Sequence, residues 1–389
     1  MTQRKRPLTP DFLSHDWLPL VAATIEDDFV KVRWEDGLEF RAYILWLWES
    51  SEGVGFDPLV REGLTEPGDL PAPASLRSAA CGTDGALELT WSAHQSRIHP
   101  GWLRYVAEGR LSVGHAMPPR KAWTAVDENV PPTLNGQTIL DDEAGQESWL
   151  DHLVRFGICR LTNTPANRDF LERLMTTVGA IRGSNFGNIF TVEASASPDS
   201  TANTNQHLGQ HTDLPTRETP PGYQFLHCIE NTVAGGASRM TDGLAVVDAL
   251  RRESPDDYRM LTTARWLFMN RAPDAEHRWE GSIIELADGG RPLTIRAFYP
   301  VRSLPLMPEA DIPAAYNAMR TFSRYVHDPR FQVSYRFQPG DLVGFDNRRV
   351  LHGRDAYEGS GERLLTGCYM DHDEIFSRLR VLRRAGWSG

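Results

Sequence analysis

The chain has 389 residues, 40% of them hydrophobic and 24% charged, which leaves room for a sizeable core and excludes a disordered or fibrous class. Its formal net charge of −11 excludes a non-specific nucleic-acid binder, since such proteins need a basic footprint to displace counterions from phosphates. The length suggests one large domain with a smaller companion.

The opening MTQRKRPLTPDFLSHDW is basic but has no apolar stretch and no small-residue cleavage site, so it is not read as a secretory signal and a cytoplasmic protein is expected. Residues 28–48, DFVKVRWEDGLEFRAYILWLW, alternate apolar and polar about EDG, the pattern of a β-hairpin. The run AYILWLW within it reads as a core strand and is far short of the roughly 20 residues that span a bilayer, so no membrane partner is expected. ALELTWS (86–92) reads as a further strand and HPGWLRYVAEG (99–109) as a short helix ending at Gly109. Residues 1–112 are therefore expected as a small β-rich domain. Residues 113–136, with four prolines and little periodicity, are expected as a linker to a larger domain over 137–389.

In that larger part, Trp149, Leu153 and Phe156 share a helical face that stops at Gly157. GICRLTNTP follows as a strand. A second helix, NRDFLERLMTTVGAI, has Asn167 as its cap and Phe170, Leu171, Leu174 and Val178 on one stripe. From Tyr223 onward short β-like runs recur: YQFLHCIEN, ASRMTDG, SIIELA, PLTIRAFYP, FQVSYRFQPGDLVGFDN, RVLHGR and RLLTGCYMD. A helical insert over 242–264 interrupts them. Many short strands with Gly and Pro turns, fronted by helices, predict a mainly β, jelly-roll or barrel architecture with flanking helices. Cys81, Cys159, Cys228 and Cys368 are widely spaced without a CxxC pair, as expected of free thiols in a reducing compartment.

The chemistry concentrates at QHTDLP (210–215). In an extended segment residues i and i+2 face one way, so His211 and Asp213 can reach one ion. By itself an HxD is more often a turn with an Asp cap than a metal site. His352, delivered by the strand RVL to a Gly-Arg corner, supplies the third ligand. Two imidazoles and one carboxylate form the facial triad of non-haem Fe(II) oxygenases, which leaves positions open for a 2-oxo acid and O₂. Arg363, one strand later, is placed to fork onto the far carboxylate of that 2-oxo acid, and Ser238 to add a hydroxyl. His207 and His227 read as hydrogen-bonded structural histidines.

With these residues assembled, the chain resembles the γ-butyrobetaine hydroxylase and trimethyllysine dioxygenase branch of the 2-oxoglutarate-dependent, TauD-like oxygenases. The resemblance lies in HTDLPTRETPPGYQFLHCIENTVAGGAS, PGDLVGFDNRRVLHGRDAYEG and RLLTGCYMDHDEIFSRLR. It implies a double-stranded β-helix core, a smaller N-terminal β-domain, Fe(II), 2-oxoglutarate, O₂, a homodimer and a small betaine-like amine as substrate. Where the family has a cysteine-rich zinc site, this chain reads WLWESSEGVG without a cysteine; His94 alone cannot hold a four-ligand zinc, so no zinc is expected. The aromatic positions that enclose a trimethylammonium group in the family fall here on Phe186, Phe190 and Asn203, with Tyr369 from the last strand. Phe has a weaker π-face than Trp and Asn has none, so the cage is thinned. Phe186 and Phe190, four apart, fit a core stripe equally well.

For the far end of the substrate the resemblance offers Ser200, Arg296 and Tyr299; Arg296 would pair with a carboxylate, phosphonate or sulfonate if it points inward, although strand arginines are mostly solvated. The expected reaction is hydroxylation of an aliphatic C–H, with succinate and CO₂ as co-products. The thinned cage keeps open the same chemistry, as hydroxylation, desaturation or cyclisation, on a different natural product or acidic small molecule. Asp213 occupies the position a halide would need, which argues against halogenation. A silent binding scaffold is disfavoured by the complete triad, and a zinc hydrolase by Arg363, which would then have no purpose.

Overall fold

A tight turn at Gly37, where φ is 87° and a side chain would be strained, closes the predicted hairpin. In this computed structural model, which describes residues 6–193, 203–270, 274–358 and 361–384, the hairpin belongs to an antiparallel sheet of β1 (Leu20–Glu26), β2 (Phe29–Trp34) and β3 (Glu39–Tyr43). The run AYILWLW, expected as one strand, changes type halfway: Ala42 and Tyr43 end β3, and α1 (Ile44–Glu49) begins. Ile44 and Leu47, three apart, face the core at 2% and 0% exposure, while Trp46 stacks on Trp102 with ring centroids 5.1 Å apart. An all-apolar run hides its period, which is why the helix was not legible.

A second antiparallel sheet follows, of β4 (Leu76–Cys81), β5 (Leu87–Trp91) and β6 (Gln95–Ile98), and then α2 (Pro100–Ala107). The inward residues of both sheets, among them Val30, Val32, Leu87 and Leu89, share one apolar cluster with Leu47 and Leu103. His94 lies with its ring 6.1 Å from that of Trp48. His99 caps α2, its Nδ1 accepting from the Gly101 and Trp102 amides at 3.2 and 3.3 Å.

The described residues divide into two units, the smaller running to Ala116 and taking in Arg384, the larger spanning Met117–Arg383. The expected linker, 113–136, differs from what is found, because most of it packs into the larger unit. Trp123 is 1% exposed, its indole donates to the Phe156 carbonyl at 2.8 Å, and β7 (Thr133–Asn135) runs parallel to a strand of the main sheet. Proline density suggested a spacer, but one buried tryptophan decides where the segment lies.

The larger unit continues with α3 (Glu143–Phe156), β8 (Ile158–Thr162), α4 (Arg168–Val178), β9 (Ile189–Val192), β10 (Leu208–His211), β11 (Tyr223–Asn231), β12 (Ala234–Gly235) and β13 (Ser238–Asp242). The predicted helical insert is two helices, α5 (Gly243–Glu253) and α6 (Pro255–Thr263), parted at Ser254 before a proline. Four strands, β14 (Trp266–Met269), β15 (Arg278–Gly281), β16 (Ile284–Leu286) and β17 (Pro292–Ile295), lead to β18 (Arg302–Pro305) and α7 (Ile312–Val326). The chain then runs through β19 (Gln332–Tyr335), β20 (Leu342–Asp346), β21 (Val350–Arg354), β22 (Tyr357–Glu358), β23 (Arg363–Met370) and α8 (His372–Leu382). No helix among the described residues is long and apolar enough to cross a membrane.

Strands dominate, and two sheets hold the centre. One has the order β7-β8-β20-β11-β23-β9, the other β10-β21-β13-β19. Tyr223, Phe225, Cys368 and Met370 on one face of the larger sheet pack against Trp149, Leu153, Phe170, Leu174 and Leu379 of α3, α4 and α8. Leu226, Val343 and Leu365 on its other face join Met240 and Val350 of the smaller sheet in a second cluster. Each such fully buried side chain contributes about 1.5–3 kcal/mol relative to exposure. Polar groups are the minority among the buried side chains.

Two of these form a buried ion pair. Arg349, 2% exposed, forks onto Asp242 with two contacts of 2.9 Å and donates to the Arg155 and Lys121 carbonyls. Asp242 also accepts from the Trp123 and Leu244 amides. The pair ties the former linker, the end of α3 and the start of α5 to β21. Replacing Arg349 by Leu strands a buried carboxylate and is expected to lower unfolding free energy by about 3–5 kcal/mol, read by urea denaturation. A second expectation concerns His99, whose pKa burial, assisted by His15 and Arg6, pushes down to about 4. A lowered basic group binds protons in the unfolded chain first, so its stability is complete above about pH 6.5 and lost as pH falls toward 4. Thermal unfolding of His99→Asn should show a shallower pH slope in that window, by about 1–2 kcal/mol across it.

Candidate active site

His211 ends β10 and His352 lies within β21, and the two are direct register partners, so both side chains leave the sheet on one face. Their ring centroids are 4.3 Å apart. The glycine of the HGR corner permits this approach, since a Cβ on Gly353 would stand 2.6 Å from the Leu208 carbonyl. Asp213 arrives differently from the simple extended spacing expected of HxD. The strand stops at His211, and Leu214 takes a positive φ of 52°, a left-handed conformation that costs a branched residue about 1–2 kcal/mol.

Thr212 holds the chain as it leaves the strand, its amide donating to the Ala297 carbonyl and its hydroxyl to the Ile295 carbonyl, each at 3.0 Å. The Asn347 side chain then takes both main-chain groups of Asp213. The Asp213 amide donates to Asn347 Oδ1 at 2.7 Å, and Asn347 Nδ2 donates to the Asp213 carbonyl at 3.0 Å. So held, Asp213 Oδ1 stands 3.1 Å from His211 Nε2 and 3.8 Å from His352 Nε2. One ligand atom from each residue lies within 4.8 Å of the others, the only such group of histidine, cysteine or acidic residues among the described residues.

The protonation states suit a cation. His211 Nδ1 lies 2.9 Å from the Gly209 carbonyl, which accepts its hydrogen bond and leaves Nε2 facing Asp213. Burial, with His211 adding to it, pushes the His352 pKa down to about 3, so this imidazole is neutral near pH 7. Burial alone would raise the Asp213 carboxyl; His352, His211 and the Tyr369 hydroxyl outweigh it and hold the group well below the usual carboxylate range. Two imidazole nitrogens and an ionised carboxylate are the donor set a first-row divalent ion takes.

The triad lines a cavity of about 1040 Å³. Arg363, the first residue of β23, lines it too and is 7% exposed. Its Nε has no partner, and among the described residues its guanidinium makes no ion pair. Burial, with Arg354 adding to it, pulls its pKa down to about 10, so it stays charged. Ser238, buried on β13 as register partner of Arg354, is in the same wall.

Phe186, Phe190, Asn203 and Tyr369 all line the cavity. Phe190 belongs to strand β9, not to a helical stripe, and its ring lies 5.0 Å from that of Tyr369. Arg296 and Tyr299 do not line it. The strand ends at Ile295, and Arg296, 1% exposed, points into protein: it pairs with Glu285 at 2.9 Å and donates to the Pro215, Arg217 and Glu218 carbonyls. Tyr299 is 64% exposed on a turn whose neighbours Phe298, Pro300 and Val301 face the cavity instead. Ser200 lies outside the described residues.

Sequence reasoning missed Phe298, whose ring is 4.7 Å from that of His211, and Gln224, a buried amide lining the cavity. Gln224 carried a signal, being a polar side chain inside the otherwise apolar run YQFL. Arg354, which donates to the Thr204 and Gln206 carbonyls at 2.6 and 2.8 Å, was also passed over in HGR.

Comparison with known proteins agrees with this geometry. The family model described as taurine catabolism dioxygenase TauD, TfdA family matches residues 120–369. The chain is 37% identical to a γ-butyrobetaine dioxygenase of Pseudomonas sp. strain AK-1 over 372 residues, covering 94% of this chain and 97% of that one. It is 30% identical to the human γ-butyrobetaine dioxygenase, covering 76% and 79%. The bovine mitochondrial trimethyllysine dioxygenase is 25% identical, covering 76% and 72%. Among solved structures, AAD-2 in complex with Mn(II) and N-oxalylglycine shares the fold at a TM-score of 0.50 and 14% identity, over 61% of this chain and 93% of that one. A divalent ion in hundredfold excess over its Kd should stabilise the wild-type chain by about 2.7 kcal/mol, and Asp213→Ala should abolish the thermal shift.

Proposed function

The chain belongs to the TauD, TfdA family of dioxygenases, and from that premise we propose that it hydroxylates an aliphatic C–H bond of a small betaine-like amine, using Fe(II) and 2-oxoglutarate. The observation that carries this reading is the convergence of His211, Asp213 and His352 in a cavity that also holds Arg363, whose guanidinium makes no ion pair among the described residues. His211, Asp213 and His352 hold the iron. Arg363 takes the far carboxylate of 2-oxoglutarate through a bidentate fork, and Ser238 adds a hydroxyl. Iron bound there, with 2-oxoglutarate and O₂, supplies the oxidising power that converts C–H to C–OH, releasing succinate and CO₂.

What the protein contributes is placement. Phe190, Tyr369 and the half-exposed Phe186 present aromatic faces to a soft cation, and Asn203 a polar group. Leu226, Met240 and Leu365 make the inner wall apolar and exclude water beside the metal. A double-stranded β-helix describes the two central sheets. A homodimer and a cytoplasmic setting complete the proposal; the second is supported by four free cysteines. The smaller β-rich unit, the counterpart of the family's N-terminal domain, needs no zinc in this reading.

A second reading keeps the chemistry and changes the substrate to a different natural product or acidic small molecule, as hydroxylation, desaturation or cyclisation. The thin aromatic wall favours it, with Asn203 where the resemblance would put a ring. Purified protein supplied with Fe(II), 2-oxoglutarate and a panel of trimethylammonium compounds decides between them. Mass spectrometry should find a product heavier by one oxygen atom, in step with succinate. Succinate release without an oxidised betaine moves the choice to the second reading. Arg363→Lys, which loses the fork but keeps the charge, should raise the KM for 2-oxoglutarate about tenfold to a hundredfold.

A further inference from the structure

Thr212 and Asn347 fix the main chain at Asp213, but neither touches its carboxylate. Rotation about the last side-chain bond would still exchange Oδ1 for Oδ2 or present both. A single protein hydroxyl limits that freedom: Tyr369 Oη donates to Asp213 Oδ2 at 2.7 Å, on the side away from the two imidazole Nε2 atoms, which lie 3.1 and 3.8 Å from Oδ1.

Tyr369 is itself held. It is 2% exposed, its carbonyl accepts from the Arg182 amide at 2.8 Å, and Gln224 is its register partner across β11 and β23. Phe190 lies against its ring at 5.0 Å. Gly367 allows this, because a Cβ there would meet Phe190 Cε2 at 2.4 Å. One side chain therefore contacts both the carboxylate of the triad and the aromatic wall of the cavity.

We propose that Tyr369 is a positioning residue that keeps Asp213 a one-oxygen ligand, with Oδ1 toward the metal and Oδ2 tied to the aromatic wall. This rests on the metal reading above. A hydrogen bond to the distal oxygen occupies one of its two lone pairs and fixes the plane of the carboxylate, which disfavours a second contact and so preserves an open coordination position. The wall that contacts the substrate and the ligand that holds the metal are then joined through one phenol.

Tyr369→Phe removes the hydroxyl and leaves the ring against Phe190. Co(II) serves as probe, titrated into metal-free protein and followed by its visible d–d absorption. Wild type should bind, and Tyr369→Phe should bind about 10- to 100-fold more weakly, with altered band shape and intensity. Its metal-free thermal unfolding should match wild type. Phe190→Leu, which thins the wall but leaves the hydroxyl, should keep wild-type cobalt affinity and spectrum. Cobalt affinity and spectrum unchanged in Tyr369→Phe overturn the positioning role and leave the metal reading standing. An equal loss in Phe190→Leu overturns it too, since wall packing would then be the cause. A wild-type chain that takes no cobalt overturns the metal reading itself.

Discussion

The turn that carries the chain out of β10 between His211 and Pro215 is the constraint on which the site depends. Two histidines on paired strands meet by register alone, because antiparallel partners face the same way. The carboxylate cannot be supplied by continuing the strand, for Leu214 turns left-handed immediately beyond it. Peptide groups outside a ladder need other partners. The Thr212 N–H finds the Ala297 carbonyl while its hydroxyl takes that of Ile295, and Asp213 finds its partners in a side chain, the amide of Asn347, which pairs with its N–H and C=O as a neighbouring strand would.

Asn347 sits five residues before His352, in the turn that joins β20 to β21. The same short segment therefore delivers one ligand and holds the main chain of another. That turn is anchored by Arg349, whose buried ion pair with Asp242 is tied to the former linker and the end of α3. Rigidity passes from a buried charge pair to a turn, from the turn to an amide, and from the amide to a carboxylate. Such support suits a site whose ligands must stand ready before a cation arrives.

Much of this was legible in the sequence. HTD, HGR and the later arginine pointed to the three side chains that converge and to Arg363 in the same cavity, because ligand chemistry restricts residue types severely. Helices α3 and α4 were legible through their stripes and caps, Gly157 and Asn167. What escaped depended on partners far along the chain. Arg296 looked available for a substrate until its guanidinium was found filled by Glu285 and three carbonyls. Trp123 lay in a proline-rich stretch with no period to announce burial. Helix α7 went unread although Ala315, Ala318, Phe322 and Val326 line its buried face, since alanine is a faint marker of a core.

The segment 215–220, beyond the triad, has five of its carbonyl oxygens engaged by guanidinium groups: Arg296 reaches Pro215, Arg217 and Glu218, Arg182 reaches Thr219 and Pro220, and Arg348 reaches Pro220. Because backbone atoms rather than side chains are gripped, this rim tolerates changes of residue while resisting changes of path. Divergence in what the cavity admits is then left to side chains outside this segment that also line it, Asn203, Asn270 and Phe298 among them. Evolution can retune recognition there by single substitutions without disturbing the fixed rim beside the metal ligands.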